Sequence, residues 1–273
     1  MTDNSTSAAD STWIGMVPVE DTVLAVTDTG GPGIPVVYLN GSYATQKDWK
    51  RVIADLGPGL RHITFDERAR GKSKTSADYS FEACLRDVDA VLAARGVEQR
   101  PILVGWSYGA LVAVHWAERH PDRVAGVVSV DGAQPYGLTD EAGKERIRKL
   151  FRQTRPLMPL LRPLGLAARM SADQHAEINI ELNELCAALA PVLERVSCPV
   201  RYVLATGGNL GGSEGEMEAV RASLEPVLAR NSNLKVSAKV SSNHSKILAK
   251  DFRAVAETVR ETATLDRQAI SNR

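Results

Sequence analysis

Five residues near the middle of the chain, Gly105-Trp106-Ser107-Tyr108-Gly109, have the spacing G-x-S-x-G, a pattern that can present a serine hydroxyl as a nucleophile. A short apolar run of strand type, Pro101-Ile-Leu-Val, leads into it. Ala110, Leu111, Val114 and Ala117 follow at the spacing of one helix face. A turn from strand to helix this sharp forces its central residue into strained backbone geometry and requires small neighbours. In return, Ser107 Oγ stands at a helix N-terminus, where developing negative charge is stabilised. The pattern alone is common, and a plain reading makes Ser107 a helix N-cap. Its place between a buried strand and a helix favours the nucleophile.

A serine nucleophile needs a base, and the chain has five histidines. His62 begins a strand-like run, His115 lies within the helix after the turn, and His120 precedes Pro121 at that helix's end. His175 lies in a helical stretch, and His244 sits in Ser241-Ser-Asn-His-Ser-Lys, after the last strand-like run.

The elements that must position these groups alternate. Trp13 to Val19 and Thr22 to Thr27 read as a hairpin, Val36 to Leu39 as a continuously apolar strand, and His62 to Phe65 as another. Helices are expected through Trp49 to Leu56 and from Ser80, with Phe81, Cys84, Leu85, Val88, Val91 and Leu92 on one face. Val124 to Val130 is a further buried strand, ending in Asp131-Gly132. Strand–helix alternation with apolar strands means a parallel sheet covered on both faces, with its chemistry at the carboxyl ends of the strands.

From Ala133 to Val196 the alternation stops. Thr139 is the expected cap of a helix with Ile147, Leu150 and Phe151 inward. Ser171-Ala-Asp-Gln174 opens another with a capping box, carrying Ile178, Leu182, Leu185 and Leu189. Cys198 to Ala205 resumes the sheet, Ser213 to Arg230 is helical, Leu234 to Val240 is a last strand and Ser245 to Thr264 a closing helix. The expected division is a tail over 1–12, a core over 13–132 and 197–273, and a helical cap over 133–196.

The chain has 273 residues, 44% of them hydrophobic, which suits one large domain or a core with an insertion. Lys plus Arg and Asp plus Glu balance at 33 each, so nothing points to nucleic acid or a membrane surface as partner. Cys84, Cys186 and Cys198 lack metal-ligand spacing and read as thiols in a reducing compartment. The segment 1–12 is polar, without a basic start or an apolar run, and is not a secretory signal. The expected location is therefore cytoplasmic.

With these pieces in order, the chain resembles the α/β-hydrolase fold family, over roughly Trp13 to Thr264. The resemblance implies a mostly parallel sheet flanked by helices, with an all-helical cap inserted after the sixth strand. It implies Ser107 as nucleophile and His244, after the last strand, as the base. For the oxyanion hole it implies the backbone N–H groups of Tyr108 and Ser42. There Asn40-Gly41 stands where the family has His-Gly, and Asn40 can keep the turn through local hydrogen bonds. The segment Asp66 to Ser73 resembles the family's Asp-x-Arg-Gly-x-Gly-x-Ser, read as stretched and with Lys72 in place of a glycine; Asp66 and Arg68 are structural in this reading.

The triad acid is expected at Asp131, after the sixth strand, as in haloalkane dehalogenases. The usual family place is the loop after the seventh strand, but Gly207 to Ser213 holds no carboxylate, and Asn209 or Leu210 stands there. Glu214 is the alternative, although a glutamate in a helix's first turn has a sufficient explanation in the helix dipole. Thr206 to Ser213 lacks the ending of a phosphate loop. The substrate, a small molecule, is expected between the sheet edge and the cap, against Tyr43, Trp106 and apolar cap residues such as Leu157 and Met158. No metal or organic cofactor is expected. The cap's first half is basic, with Lys144, Arg146, Arg148, Lys149, Arg152, Arg155, Arg162 and Arg169, which reads as a solvated face or as a dock for an acidic partner or an anionic substrate such as a carrier-bound or CoA thioester.

The function expected is hydrolysis of an ester-like bond through an acyl-enzyme. The alternatives are a thioesterase, acyltransferase or cyclase, or a ligand-binding receptor that has lost turnover.

Overall fold

The computed structural model describes residues 12–161, 168–207 and 214–271. Eight strands form one sheet: β1 (Trp13–Val19), β2 (Thr22–Asp28), β3 (Pro35–Leu39), β4 (Arg61–Phe65), β5 (Ile102–Trp106), β6 (Gly126–Val130), β7 (Val200–Ala205) and β8 (Leu234–Val240). Their order is β1-β2-β4-β3-β5-β6-β7-β8. β2 runs antiparallel to β1 and β4, and every other pairing is parallel. β3, β6 and β7 are buried at every residue, which is why they are mostly apolar.

The helices are α1 (Lys50–Leu56), α2 (Phe81–Ala94), α3 (Tyr108–Arg119), α4 (Glu141–Thr154), α5 (Met158–Leu161), α6 (Ala172–Ala187), α7 (Ala190–Arg195), α8 (Glu214–Ala222), α9 (Glu225–Arg230), α10 (Ile247–Lys250) and α11 (Phe252–Ser271). α2, α3 and α7 cover one face of the sheet; α1, α10 and α11 cover the other. Local chemistry sets several of the ends. Ser80 accepts a hydrogen bond from Ala83 N at the start of α2, and Ser171 and Gln174 form the capping box of α6. No helix among the described residues is long and apolar enough to cross a membrane.

Four sequence expectations are corrected. The cap of α4 is Asp140, not Thr139: its side chain accepts from Gly143 N at 3.0 Å. Leu150 points outward, 54% exposed, because α4 lies on the surface and buries only Gly143. α7 belongs to the core rather than to the insertion, since Leu189, Val192 and Leu193 share a cluster with Leu111 and Val114. The inserted layer is therefore α4 to α6.

The fourth correction concerns residues 66–73. The left-handed backbone falls at Ala69, with φ 63°, and at Gly71, with φ 45°. The position that lacks a glycine is thus Ala69, not Lys72, and the segment is not stretched. An alanine in this conformation is strained, and two backbone hydrogen bonds help hold it: Ala69 N donates to Lys74 O and Ala69 O accepts from Arg169 N. Asp66 accepts from the backbone N–H groups of Gln46 and Lys72, both within 2.9 Å. Arg68, 1% exposed, forms a two-pronged pair with Asp87.

Cys84 and Cys198 are buried and Cys186 is half-buried; none forms a disulfide. Burial pushes each thiol up to about 12.

Candidate active site

Ser107 sits between β5 and α3 with φ 56° and ψ −116°, a left-handed conformation rare for a side chain of this type. The turn can be this tight because of Gly109. A Cβ on Gly109 would lie 2.1 Å from Leu39 O and 2.7 Å from Asn40 O, so only glycine lets α3 start against the end of β3. Ser107 N donates to Val130 O, which ties the turn to β6. A strained, over-determined serine at a strand end is the arrangement in which local strain goes with function.

Asp131 follows β6 and is also left-handed, with φ 45°. Its position is fixed by β7 from two sides: Asp131 N donates to Val203 O at 2.8 Å, and Asp131 Oδ1 accepts from Ala205 N at 2.9 Å. The other oxygen, Oδ2, lies 2.7 Å from His244 Nδ1. A carboxylate only accepts, so Nδ1 carries a proton, and the neutral form of the ring has its lone pair on Nε2. His244 opens a short 3-10 turn, His244–Lys246, after β8, whose cap is Asn243. The Trp106 ring lies beside the His244 ring, with centroids 5.7 Å apart.

The other four histidines are held elsewhere. His62 lies between Tyr38 OH and Gly57 O. His115 is buried against Phe81, and burial, aided by the Arg119 charge, lowers its pKa to about 4. His120 stacks on Trp116, and His175 stacks on Phe151 in the helical insertion.

The loop after β3 reaches the serine from the opposite side. A Cβ on Gly41 would lie 3.2 Å from Trp106 Cε3 and 3.5 Å from Ser107 Cβ. The backbone at Gly41 and Ser42 therefore passes directly over the nucleophile turn. Neither Ser42 N nor Tyr108 N meets an acceptor among the described residues. The Tyr108 side chain points away into the core, where its hydroxyl lies 3.4 Å from Cys84 Sγ.

Ser107 and His244 line one cavity of about 430 Å³. Its other walls include Tyr136, Leu138, Leu182, Asn183, Cys186 and Val220. These come from the stretch after β6, from α6 and from α8, and the sequence reading did not single them out for this role. The available signal was weak: Leu182 lies on the apolar face of α6, which reads as packing.

Two expected substrate contacts are not among its lining residues. The Tyr43 hydroxyl is taken by Asn179 Nδ2 at 3.2 Å and its ring packs on His175, which directs it to a different cavity. Trp106 packs against His244 instead. Leu157 is half-exposed and lines neither cavity. The Met158 side chain, Asn209, Leu210, the Glu214 side chain and Arg162 lie outside the described residues.

The cavity that Tyr43 borders is larger, about 1080 Å³, and lies between β1–β2 and α1. Its interior polar groups are bonded to one another: Thr27 and Thr64 hydroxyls donate to Gln46 Oε1, and Gln46 Nε2 donates to Asp66. It therefore offers no nucleophile with a base.

Three of the basic residues of the insertion are paired with carboxylates. Lys144 pairs with Glu184 at 2.7 Å, Arg148 with Glu177 at 3.3 Å, and Arg152 with Glu145. Arg169 donates to the carbonyls of Gly71 and Ser73. Among the described residues, no group of three or more His, Cys, Asp or Glu is placed to hold a metal ion.

The alpha/beta hydrolase fold profile matches residues 34–184, more than half of the chain. The chain belongs to the α/β-hydrolase fold family. A haloalkane dehalogenase of Mesorhizobium japonicum is 28% identical over 141 residues, covering 51% of this chain and 45% of that protein. Epoxide hydrolase B of Mycobacterium tuberculosis is 37% identical over 99 residues, covering 35% of this chain and 28% of that protein. The chain thus matches less than half the length of these curated relatives. Among solved structures, a thermophilic esterase from Thermogutta terrifontis superposes with a TM-score of 0.67 at 20% identity, over 92% of this chain and 99% of that one.

Proposed function

We propose that this α/β-hydrolase fold protein is a serine hydrolase that cleaves an ester-like bond through an acyl-enzyme, with Ser107 as nucleophile, His244 as base and Asp131 as its orienting acid. The observation that carries this reading is the 2.7 Å contact of His244 Nδ1 with Asp131 Oδ2, on a histidine that shares a cavity with Ser107. The contact leaves Nε2 as the acceptor that a serine proton requires.

Ser107 Oγ attacks the carbonyl carbon and passes its proton to His244 Nε2. The tetrahedral oxyanion is met by the N–H groups of Ser42 and Tyr108. Collapse of the intermediate expels the alcohol, which takes the proton from His244. Water then repeats the sequence on the acyl-enzyme, releasing acid and free Ser107. Asp131 holds the imidazole in one tautomer and stabilises the imidazolium.

The named relatives include a haloalkane dehalogenase and an epoxide hydrolase. Both reactions on this fold use an aspartate nucleophile, and here the turn carries Ser107. That difference favours the ester-like carbonyl. The chemistry at the base of the cavity favours no particular acyl group. The cap role belongs to α4–α6, whose Leu182 and Cys186 face the cavity. The pairing of Lys144, Arg148 and Arg152 with carboxylates weakens the case for an anionic carrier or CoA thioester.

The test combines a fluorophosphonate probe with short p-nitrophenyl esters. The wild type is expected to label once, at Ser107, and to turn over the esters. Labelling that survives Ser107→Ala, or a wild type that hydrolyses none of the esters, overturns the reading.

A further inference from the structure

One buried carboxyl at the sheet edge has no part in the mechanism above. Glu67 follows β4 and is 8% exposed. Both of its oxygens are held by Asn40: Oε1 accepts from Asn40 N at 2.8 Å, and Oε2 accepts from Asn40 Nδ2 at 2.8 Å. Asn40 is itself saturated. Its Nδ2 also donates to Phe65 O at 2.7 Å, and its Oδ1 accepts from Trp49 Nε1 at 2.8 Å. Asn40 is the residue directly before Gly41 and Ser42, where the backbone crosses the nucleophile turn. On the far side of that crossing, Arg70 Nε donates to Ser42 O at 2.8 Å.

We propose that Glu67 is a positioning residue for the oxyanion loop: through its two bonds to Asn40 it sets the place of the Ser42 N–H over Ser107, and it does so in its ionised form. The inference rests on the serine-hydrolase reading. Its physical basis is donor–acceptor matching. Asn40 presents two N–H groups to two carboxylate oxygens. A protonated carboxyl keeps one good acceptor and turns a hydroxyl toward a donor, so one of the two bonds is lost. A side chain that replaces a carboxylate oxygen by an NH₂ group does the same.

The groups facing Glu67 decide where it titrates. Burial is the largest influence and raises it to about 7, while the Asn40 donors and the Arg70 charge act to lower it. The Cys84 thiol, within electrostatic reach from α2, is neutral at this pH because burial pushes it up to about 12. The loop is therefore about half set at pH 7, tightens as the pH rises above it and loosens below it.

The test is Glu67→Gln, compared with wild type on one p-nitrophenyl ester from pH 5.5 to 8.5. At pH 8.5 kcat is expected to fall about 10- to 100-fold, somewhat less than the loss of a whole oxyanion donor, with KM changed less than about 3-fold. The readout is the ratio of wild-type to variant kcat at each pH. The ratio is expected to shrink toward 1 as the pH falls through 7. A ratio that stays constant with pH, or a kcat equal to wild type, overturns the inference while leaving Ser107 labelling and the hydrolase reading intact. Failure of the wild type to label at Ser107 overturns both. Should Glu67→Gln not fold, the amide resonance of Asn40 in folded His244→Gln protein decides the matter. It is expected to titrate near pH 7, and a flat amide shift across this range overturns the inference.

Discussion

The carboxyl edge of the sheet and the helices inserted between β6 and β7 are built by opposite means. At the edge, Ser107, Asp131 and Ala133 are all left-handed, with φ 56°, 45° and 50°. Ser107 and Asp131 are tied to a neighbouring strand by backbone bonds and Ala133 by the Tyr202 hydroxyl, and polar side chains such as Asp131, Asn40 and Glu67 are held by two or more hydrogen bonds. In the insertion, α4 buries one residue, and Leu150, Leu157 and Leu160 are more than half exposed. Its helices α4 and α6 are joined to each other in part by ion pairs at the surface. Bonds that must position a reacting atom are costly to disturb, whereas exposed ion pairs are weak and tolerate rearrangement. One region is suited to invariant chemistry and the other to a variable substrate.

Substitutions test this contrast, most severe first. Ser107→Ala is expected to cut kcat by about 10⁶-fold, leaving only what oxyanion stabilisation and binding provide. Single-turnover assays with an activated ester check it. Asp131→Asn is expected to lower kcat about 10²- to 10⁴-fold with the fold intact, since the wrong imidazole tautomer then faces Ser107. Glu214→Gln is expected to cost far less, and a reversal of the two would move the acid to α8.

His115 probes the core beneath the edge through pH rather than turnover. Its folded pKa, about 4, lies below the usual 6.5, so its neutral form is the one the fold favours. Stability from this group is complete above pH 6.5 and is lost as the pH falls toward 4. The loss is on the order of 3 kcal/mol. His115→Leu is expected to remove it, read as the difference between wild-type and variant urea melts at pH 7 and pH 4.5. Taking the difference cancels Glu67 and Asp87, which titrate in the opposite sense.

The insertion is expected to respond more gently. Leu182→Ala widens the cavity wall and is expected to shift the preference between short and long acyl groups by about tenfold in kcat/KM, while a small activated ester keeps its rate. A uniform loss across all esters would break the contrast. Arg148→Ala, which removes an exposed partner of Glu177, is expected to change stability by about 0.5 kcal/mol in the same melts.

The two regions also differ in how much of them the sequence makes legible. β3, β5 and β6 announce themselves because strands buried on both faces are apolar at nearly every position. The proximity of Asp131 and His244 is legible because both follow strands at one edge, so topology alone brings their ends together. The walls of the cavity are not legible. Leu182 and Cys186 sit on an apolar helix face that could as well have met the sheet, and Tyr136 and Leu138 lie in an irregular stretch. Leu150 shows the same failure in reverse: its spacing suits an inward face, but the tertiary position of α4 leaves it in solvent. The Glu67–Asn40 pair joins residues 27 apart, and nothing in local patterning connects them.

The three cysteines offer a way to watch these regions move. With each thiol pushed up to about 12, only about one molecule in 10⁵ carries a given thiolate at pH 7, so alkylation of the closed protein is slow. Labelling therefore counts openings. Cys84 and Cys198 lie in the main core and become reactive when that core comes apart. Cys186 lies in the wall above Ser107 and is uncovered when α6 lifts away. The three thiols are thus internal clocks, and the gap between the Cys186 rate and the other two measures how often the roof of the cavity opens while its floor stays shut.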